Sequence, residues 1–219
     1  NSLGVIVLEA ANVPRLDYLT VGGNPFLLVE PQRTNIVIQS NGFSTASWQK
    51  IGSTAVIPIV TADLITSPDG NINASLVEIS SLADSDFASI RSNYTTVANN
   101  TVGSIFLRAF DASQVGKKVS LFFNSASGIT GTTATLSLSF QRFEFNRLAD
   151  SNQFQIGKGR TSFPSGGVSQ SEMATKFYIY EAQVEVGDTA TSTIKTSTAA
   201  VTRNADVITV APPTGTVKI

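Results

Sequence analysis

Cysteine and histidine are both absent from this 219-residue chain. Without thiols there is no disulfide, no cysteine nucleophile and no thiolate metal site. Without imidazole there is no histidine-based triad or metal centre. The lack of cysteine leaves the redox compartment open. Charge is scarce as well: 15 basic and 16 acidic residues make up 14% of the chain and leave a net charge of -1. No Lys/Arg cluster stands out, so capture of nucleic acid or of an anionic membrane is not expected. There is no run of about eighteen apolar residues and no signal-peptide pattern. Heptads, internal repeats and long amphipathic helices are also missing.

The hydrophobic share is an ordinary 42%, and Ser, Thr, Asn and Gly fill the place of charge. A neutral surface rich in hydroxyls and amides suits uncharged partners, such as sugars or another subunit. One domain of this length buries roughly 70–75% of its unfolded surface, enough for a sizeable core.

The dominant period is two. Ile105, Leu107 and Ala109 alternate with Phe106, Arg108 and Phe110, and Val119, Leu121 and Phe123 alternate with Ser120, Phe122 and Asn124. Leu136, Leu138 and Phe140 alternate with Thr135, Ser137, Ser139 and Gln141. These runs read as half-buried strands. In the third run the apolar phase then slips from Phe140 to Phe143 and Phe145, the mark of a bulge or of a crossing between two sheets. Further strands are expected at 26–30, 35–39, 54–60, 74–79, 153–157, 176–186 and 206–210, with Pro58 marking an edge strand. A short helix or 3₁₀ turn is expected at 82–90. Breaker-rich connections fall at Val21–Pro25, Ser67–Asn71, Gly128–Gly131, Gly157–Gly159 and Phe163–Gly167. This pattern predicts an all-β fold, a two-sheet antiparallel β-sandwich of jelly-roll type. The sandwich is expected over 26–210. Residues 1–25, which begin at Asn1 rather than Met, read as a connector to a preceding region, and 211–219 as an extended tail.

Three stretches carry a resemblance. Phe26-Leu27-Leu28-Val29-Glu30-Pro31-Gln32-Arg33-Thr34-Asn35 resembles an "LLVEPQRTN" signature. Tyr178-Ile179-Tyr180-Glu181-Ala182-Gln183-Val184-Glu185-Val186-Gly187 is similar to an aromatic strand ending in "AQLE-G". Val201-Thr202-Arg203-Asn204-Ala205-Asp206-Val207-Ile208 is similar to a closing "VTRAADVI". All three belong to a β-sandwich domain of bacteriophage tail fibres and other virion appendages. The resemblance implies a virion location, in a tail fibre, spike or head fibre. It also implies homotrimeric assembly, contact with other virion proteins, and a lectin-like role on host-surface glycan.

Within the first stretch, Pro31 keeps Glu30 extended, Arg33 offers a planar fork of donors, and Asn35 can brace a turn. The functional reading makes Arg33 a ligand contact. The structural reading, which is preferred, makes the knot an internal polar clamp that also takes in Arg15, Asp17, Arg203 and Asp206. Sugar sites on β-sandwiches use aromatic rings to stack on the apolar face of a pyranose. The candidates are Trp48, the only tryptophan, with Tyr94, Tyr178 and Tyr180; for Trp48 and the two strand tyrosines the competing reading is core or sheet edge, and core is preferred throughout. The loop around Asp69 and Asn71 has the oxygen-rich composition of a calcium site but lacks EF-hand spacing. A Pro-Asp-Gly turn accounts for it, so no cofactor is expected and a structural calcium is the lesser alternative.

Gly157-Lys158-Gly159 lacks phosphate-loop spacing. Glu181 and Glu185 at i, i+4 on one strand stand about 13–14 Å apart, too far for a glycosidase pair. The expected function is therefore non-catalytic binding of host-surface glycan. The alternatives are a structural trimerisation or attachment domain, and a polysaccharide depolymerase.

Overall fold

The computed structural model describes residue 6 and residues 15–18, 22–53, 56–80, 82–147, 150–163 and 165–207. Among them run β1 Leu16–Tyr18, β2 Pro25–Leu27, β3 Arg33–Asn35, β4 Trp48–Gly52, β5 Ile59–Thr66, β6 Ile72–Glu78 and β7 Ala88–Val97. There follow β8 Thr101–Ala109, β9 Lys118–Ser125, β10 Gly128–Thr135, β11 Gln141–Arg147, β12 Ser151–Lys158, β13 Lys176–Val186 and β14 Val201–Arg203. The described residues hold no α-helix, only a 3₁₀ turn at Ala112–Gln114 capped by the Asp111 carboxylate.

Two five-stranded antiparallel sheets form the body, in the orders β10-β9-β12-β7-β4 and β11-β8-β13-β6-β5. The chain changes sheet after β4, β6, β7, β8, β10, β11 and β12, which is the winding of a jelly roll. Two short pairs, β1–β2 and β14–β3, attach to it.

Alternation explains the layering. Ile105, Leu107 and Ala109 of β8 turn inward against Leu121 and Phe123 of β9 and Phe154 and Ile156 of β12. Rings of Phe123, Phe145 and Phe154 lock the two sheets together, with centroids 4.7, 5.3 and 6.1 Å apart. Each such ring removed from water contributes about 1.5–3 kcal/mol.

The phase slip between Phe140 and Phe143 is a sheet crossing. β10 ends at Thr135 on the margin of one sheet, β11 starts at Gln141 on the margin of the other, and Leu136–Phe140 carries the chain between them. The strand expected at 135–141 is thus a connection. Gly128–Gly131, expected as a turn, lies inside β10, because the hairpin reverses two residues earlier. The short helix or 3₁₀ turn expected at 82–90 is a plain turn followed by the start of β7; bonds between strands override weak local propensity there. β4 and β7 were not foreseen. Pro58 precedes β5, which is an edge strand. Leu16–Tyr18 of β1 pairs with Pro25–Leu27 of β2, on either side of the division expected at residue 25. The tail at 211–219, and 208–210 of the expected last strand, lie outside the described residues.

Candidate functional site

The outer faces of the two sheets differ. That of the β8–β13 sheet is strapped by residues 191–196. Glu185 accepts the Thr191 N–H at 2.9 Å, Gln183 accepts that of Ile194 at 2.6 Å, and Arg142 donates to the Thr191 carbonyl at 2.7 Å. Among the described residues, the outer face of the β7–β12–β9 sheet carries no such strap.

On that open face, register places Gln49, Arg91, Gln155, Phe122 and Gly131 side by side across β4, β7, β12, β9 and β10. The next row holds Asn93, Gln153, Asn124 and Ile129. The row on the other side is small: Ser89, Gly157 and Ser120 lie beyond Ile51. Period two puts all these side chains opposite Trp48, Ile90 and Phe154 of the core.

Residues 159–163 and 165–167 fold over the small row. Gly159 donates to Ser120 Oγ at 2.8 Å, and the Gly131 N–H donates to Ser165 Oγ at 2.9 Å. The loop sets Phe163 edge-on to Phe122, centroids 5.7 Å apart at 67°. Gly159 and Gly166, the latter at φ +76, permit this close approach. A Cβ on Gly159 would stand 3.0 Å from the Phe163 ring, and one on Gly166 2.9 Å from the Thr132 nitrogen.

The result is a cleft of about 190 Å³ lined by Ile51, Phe87, Arg91, Phe122, Asn124, Ile129, Gln155, Arg160 and Phe163. Typical small-molecule pockets measure about 300–1,000 Å³, so this one takes a ring or a side group while the rest of a ligand lies across the face. Its polar groups are held in place. Gln155 accepts from Ser89 Oγ at 3.0 Å and donates to Gln153 Oε1 at 3.1 Å, an oxygen that Asn124 also reaches at 3.2 Å. Arg91 donates through Nε to Gln49 Oε1 at 3.2 Å and to the same oxygen through Nη2. The Arg160 guanidinium lies 5.0 Å above the Phe87 ring.

None of the four expected aromatics lines this cleft. Trp48 is wholly buried against Phe43, its Nε1–H donated to the Gln39 carbonyl at 2.9 Å, so it is a core residue. Tyr94 packs on the core and donates to Ser151 Oγ at 3.1 Å, and burial pushes its phenol pKa up. Tyr178 and Tyr180 are buried on the other sheet's outer face. Tyr178 sits between Phe110 and Arg108; Tyr180 sits between Phe106 and the Lys195 ammonium, its pKa pushed by burial to about 12. Phe122 is covered by Phe163.

The expected polar knot divides. Glu30 accepts Arg15 Nη1 at 2.6 Å, Arg203 Nη1 at 3.0 Å, the Ser192 N–H at 2.6 Å and the Ser192 hydroxyl. Asp206 accepts the Glu30 N–H at 2.8 Å and the second Arg15 amino group. Asn35 is buried and uses its whole amide: it donates to the carbonyls of Ala182 and Ile194 at 3.1 and 2.9 Å and accepts from the N–H groups of Val37 and Val184 at 3.2 and 3.1 Å. Arg33 and Asp17 stand outside this clamp. Arg33 donates to the adjacent Gln32 carbonyl and covers Gly187, where a side chain would strike it; Asp17 caps Tyr18. Asp69 is engaged by Ser67, Asn71, Asn73 and the Lys195 ammonium at 2.7 Å, so the loop's positive partner is a side chain. Among the described residues no group of three acidic, His or Cys residues is placed to hold a metal.

The residues missed were Arg91, Gln155, Arg160 and Phe163. One signal was available: Gln153 and Gln155 alternate with Phe154 and Ile156, an amide face on a central strand. Phe163 sits in a breaker-rich loop and had none.

No protein-family model matches the sequence and no curated protein does. Solved structures similar to it include the family 11 carbohydrate-binding module of Clostridium thermocellum in complex with a β-1,3-1,4-mixed-linked tetrasaccharide (10% identity, covering 71% of this chain and 96% of that one, TM-score 0.43). The xylan-binding domain of carbohydrate-binding module family 22 is similar at 11% identity, over 72% of this chain and 98% of that one, with TM-score 0.45. The enzymatically active domain of bacteriophage CBA120 tailspike protein 4 is similar at 10% identity, over 70% of this chain and 21% of that one, with TM-score 0.41. Likeness of this size transfers no residue role and no ligand.

Proposed function

We propose that this chain is a non-catalytic glycan-binding domain of a bacteriophage fibre or spike, and that it takes host-surface sugar on the open sheet face. The observation that carries the reading is the cleft itself. Phe122, Phe163 and Ile129 supply apolar walls for a sugar ring, and Gln155, Asn124 and Arg91 supply fixed polar groups for its hydroxyls. The lining contains no carboxylate, whereas hydrolysis of a glycoside ordinarily needs two, about 5–9.5 Å apart. The virion setting is supported by the three sequence stretches described above. Weak single sites on a homotrimer would gain strength from avidity.

A second reading, a structural trimerisation or attachment domain, is favoured by exposed apolar side chains in two places. Leu16, Phe26, Leu27 and Val29 project from the β1–β2 region, and Ile57, Ile59, Leu64 and Ile72 lie along the β5 margin.

A glycan array probed with the purified chain, with its mass recorded by light scattering, separates the two. Specific signal that is lost in Phe163→Ala and Gln155→Ala, with unchanged melting of the fold, supports the binding reading. A stable trimer silent on every glycan supports the structural one and defeats the first.

A further inference from the structure

We infer that the ligand of this cleft is an acidic glycan, one whose sugar units carry carboxylates. The inference rests on the glycan-binding reading and deepens it.

The cleft's lining holds two guanidinium groups, Arg91 and Arg160, and no acidic residue. The chain as a whole carries a net charge of -1, so this local excess of positive charge does not follow from composition. Of the six other arginines, three are matched with acids, Arg15 with Glu30 and Asp206, Arg203 with Glu30, and Arg147 with Asp150, while Arg33, Arg108 and Arg142 meet carbonyls, a hydroxyl or aromatic rings. Neither cleft arginine takes part in an ion pair among the described residues.

Their protein partners are neutral. Arg91 directs Nε and Nη2 at one amide oxygen, that of Gln49 on the exposed edge strand. Arg160 rests on the Phe87 ring, and its Nε is buried with no hydrogen-bond partner. The nearest acids along the chain are committed to loop closure: Asp86 accepts from Ser53 Oγ at 2.9 Å, and Asp84 accepts the Gln170 N–H at 2.6 Å. Arg160, packed on Phe87 with its Nε out of water and unbonded, has lost hydration there that nothing in the protein restores. A ligand carboxylate restores it, because its two oxygens match the planar fork of arginine donors. The aromatic walls then hold the ring that bears the carboxylate, which suits the small volume of the cleft.

Polygalacturonate, alginate and hyaluronan, each alongside its carboxyl-reduced counterpart, are the probes, with dextran sulfate as a non-uronate polyanion. The readout is affinity of the purified chain by isothermal titration or affinity electrophoresis at fixed ionic strength. At least one uronate polymer is expected to bind roughly tenfold or more tightly than its reduced form, the ratio for one charge-assisted hydrogen bond. Arg91→Gln and Arg160→Gln should each shrink that ratio, whereas Phe163→Ala should weaken both forms together. The inference is overturned if the reduced polymers bind as well as the uronates, if the array yields only neutral ligands, or if dextran sulfate binds as tightly as any uronate. Those outcomes leave the glycan-binding reading standing. A folded chain that binds no glycan at all defeats both.

Discussion

Asn35→Ala should be among the most damaging single substitutions outside the apolar core. The side chain is wholly buried and satisfies four backbone groups: the carbonyls of Ala182 and Ile194 and the N–H groups of Val37 and Val184. Alanine leaves all four without a partner, and each buried orphan costs about 1–3 kcal/mol. Even the low end sums to about 4 kcal/mol, a large part of the ~5–15 kcal/mol that holds a typical domain folded. For a chain of this size that corresponds to a melting temperature lower by about 8–16 °C. Asn35→Asp tests the donor half separately: it keeps an acceptor for the two N–H groups but turns oxygen toward the two carbonyls. Thr34→Ala is the control, since its hydroxyl meets only Thr202 on the exposed side of the β3–β14 pair. Urea unfolding of the three variants checks the reasoning. An Asn35→Ala protein within about 1 kcal/mol of wild type, inside the range of ordinary surface changes, would refute the assignment of Asn35 as the staple between β3, β13 and the strap.

Two glutamates should give opposite pH signatures. Burial alone raises the Glu30 pKa, but the bonds from Ser192 and the charge of Arg203 outweigh it and hold the group below its usual 4.5. Its stabilisation is complete above that value and fades as pH falls through the lowered one, so Glu30→Gln should cost more at about pH 7 than in acid. Burial raises the Glu181 pKa, and only Ser40 answers its carboxyl, at 2.5 Å. Wild type then loses stability as pH climbs past 4.5, and Glu181→Gln should gain on it toward neutrality; equal wild-type-to-variant gaps at all pH values would contradict either assignment. Trp48→Phe should lose about 2 kcal/mol from reduced packing and the missing bond to Gln39, yet leave glycan affinity unchanged. A loss of affinity in the folded variant would return Trp48 to the binding surface.

Legibility followed the range of the interactions. β13 was readable residue by residue, because Lys176–Val186 is a long apolar and aromatic run with one outcome. β7 was not. Ala88–Val97 is polar and lightly patterned, and its place between β4 and β12 is set by backbone bonds to strands about forty and sixty residues away. The acid–base knot was readable in Glu30, Arg203 and Asp206, which lie inside signature-like stretches. Arg33, in the same stretch, could not be told apart from Glu30 until the fold turned one inward and the other toward Gly187.

Composition and period two were enough to determine an all-β sandwich without thiol or imidazole chemistry, because alternation on a strand is a local property that burial of one face demands. The site was decided by tertiary structure alone. Phe122 and Phe163, or Arg91 and Arg160, lie far apart along the chain, and nothing in their local sequence pairs them. They meet only because antiparallel register brings five strands into one row and a glycine-lined approach lets a distant loop close over it. Which aromatic is core and which is surface likewise depends on what the opposite sheet or the 191–196 strap covers, and that is a matter of packing between layers rather than of any residue's own chemistry.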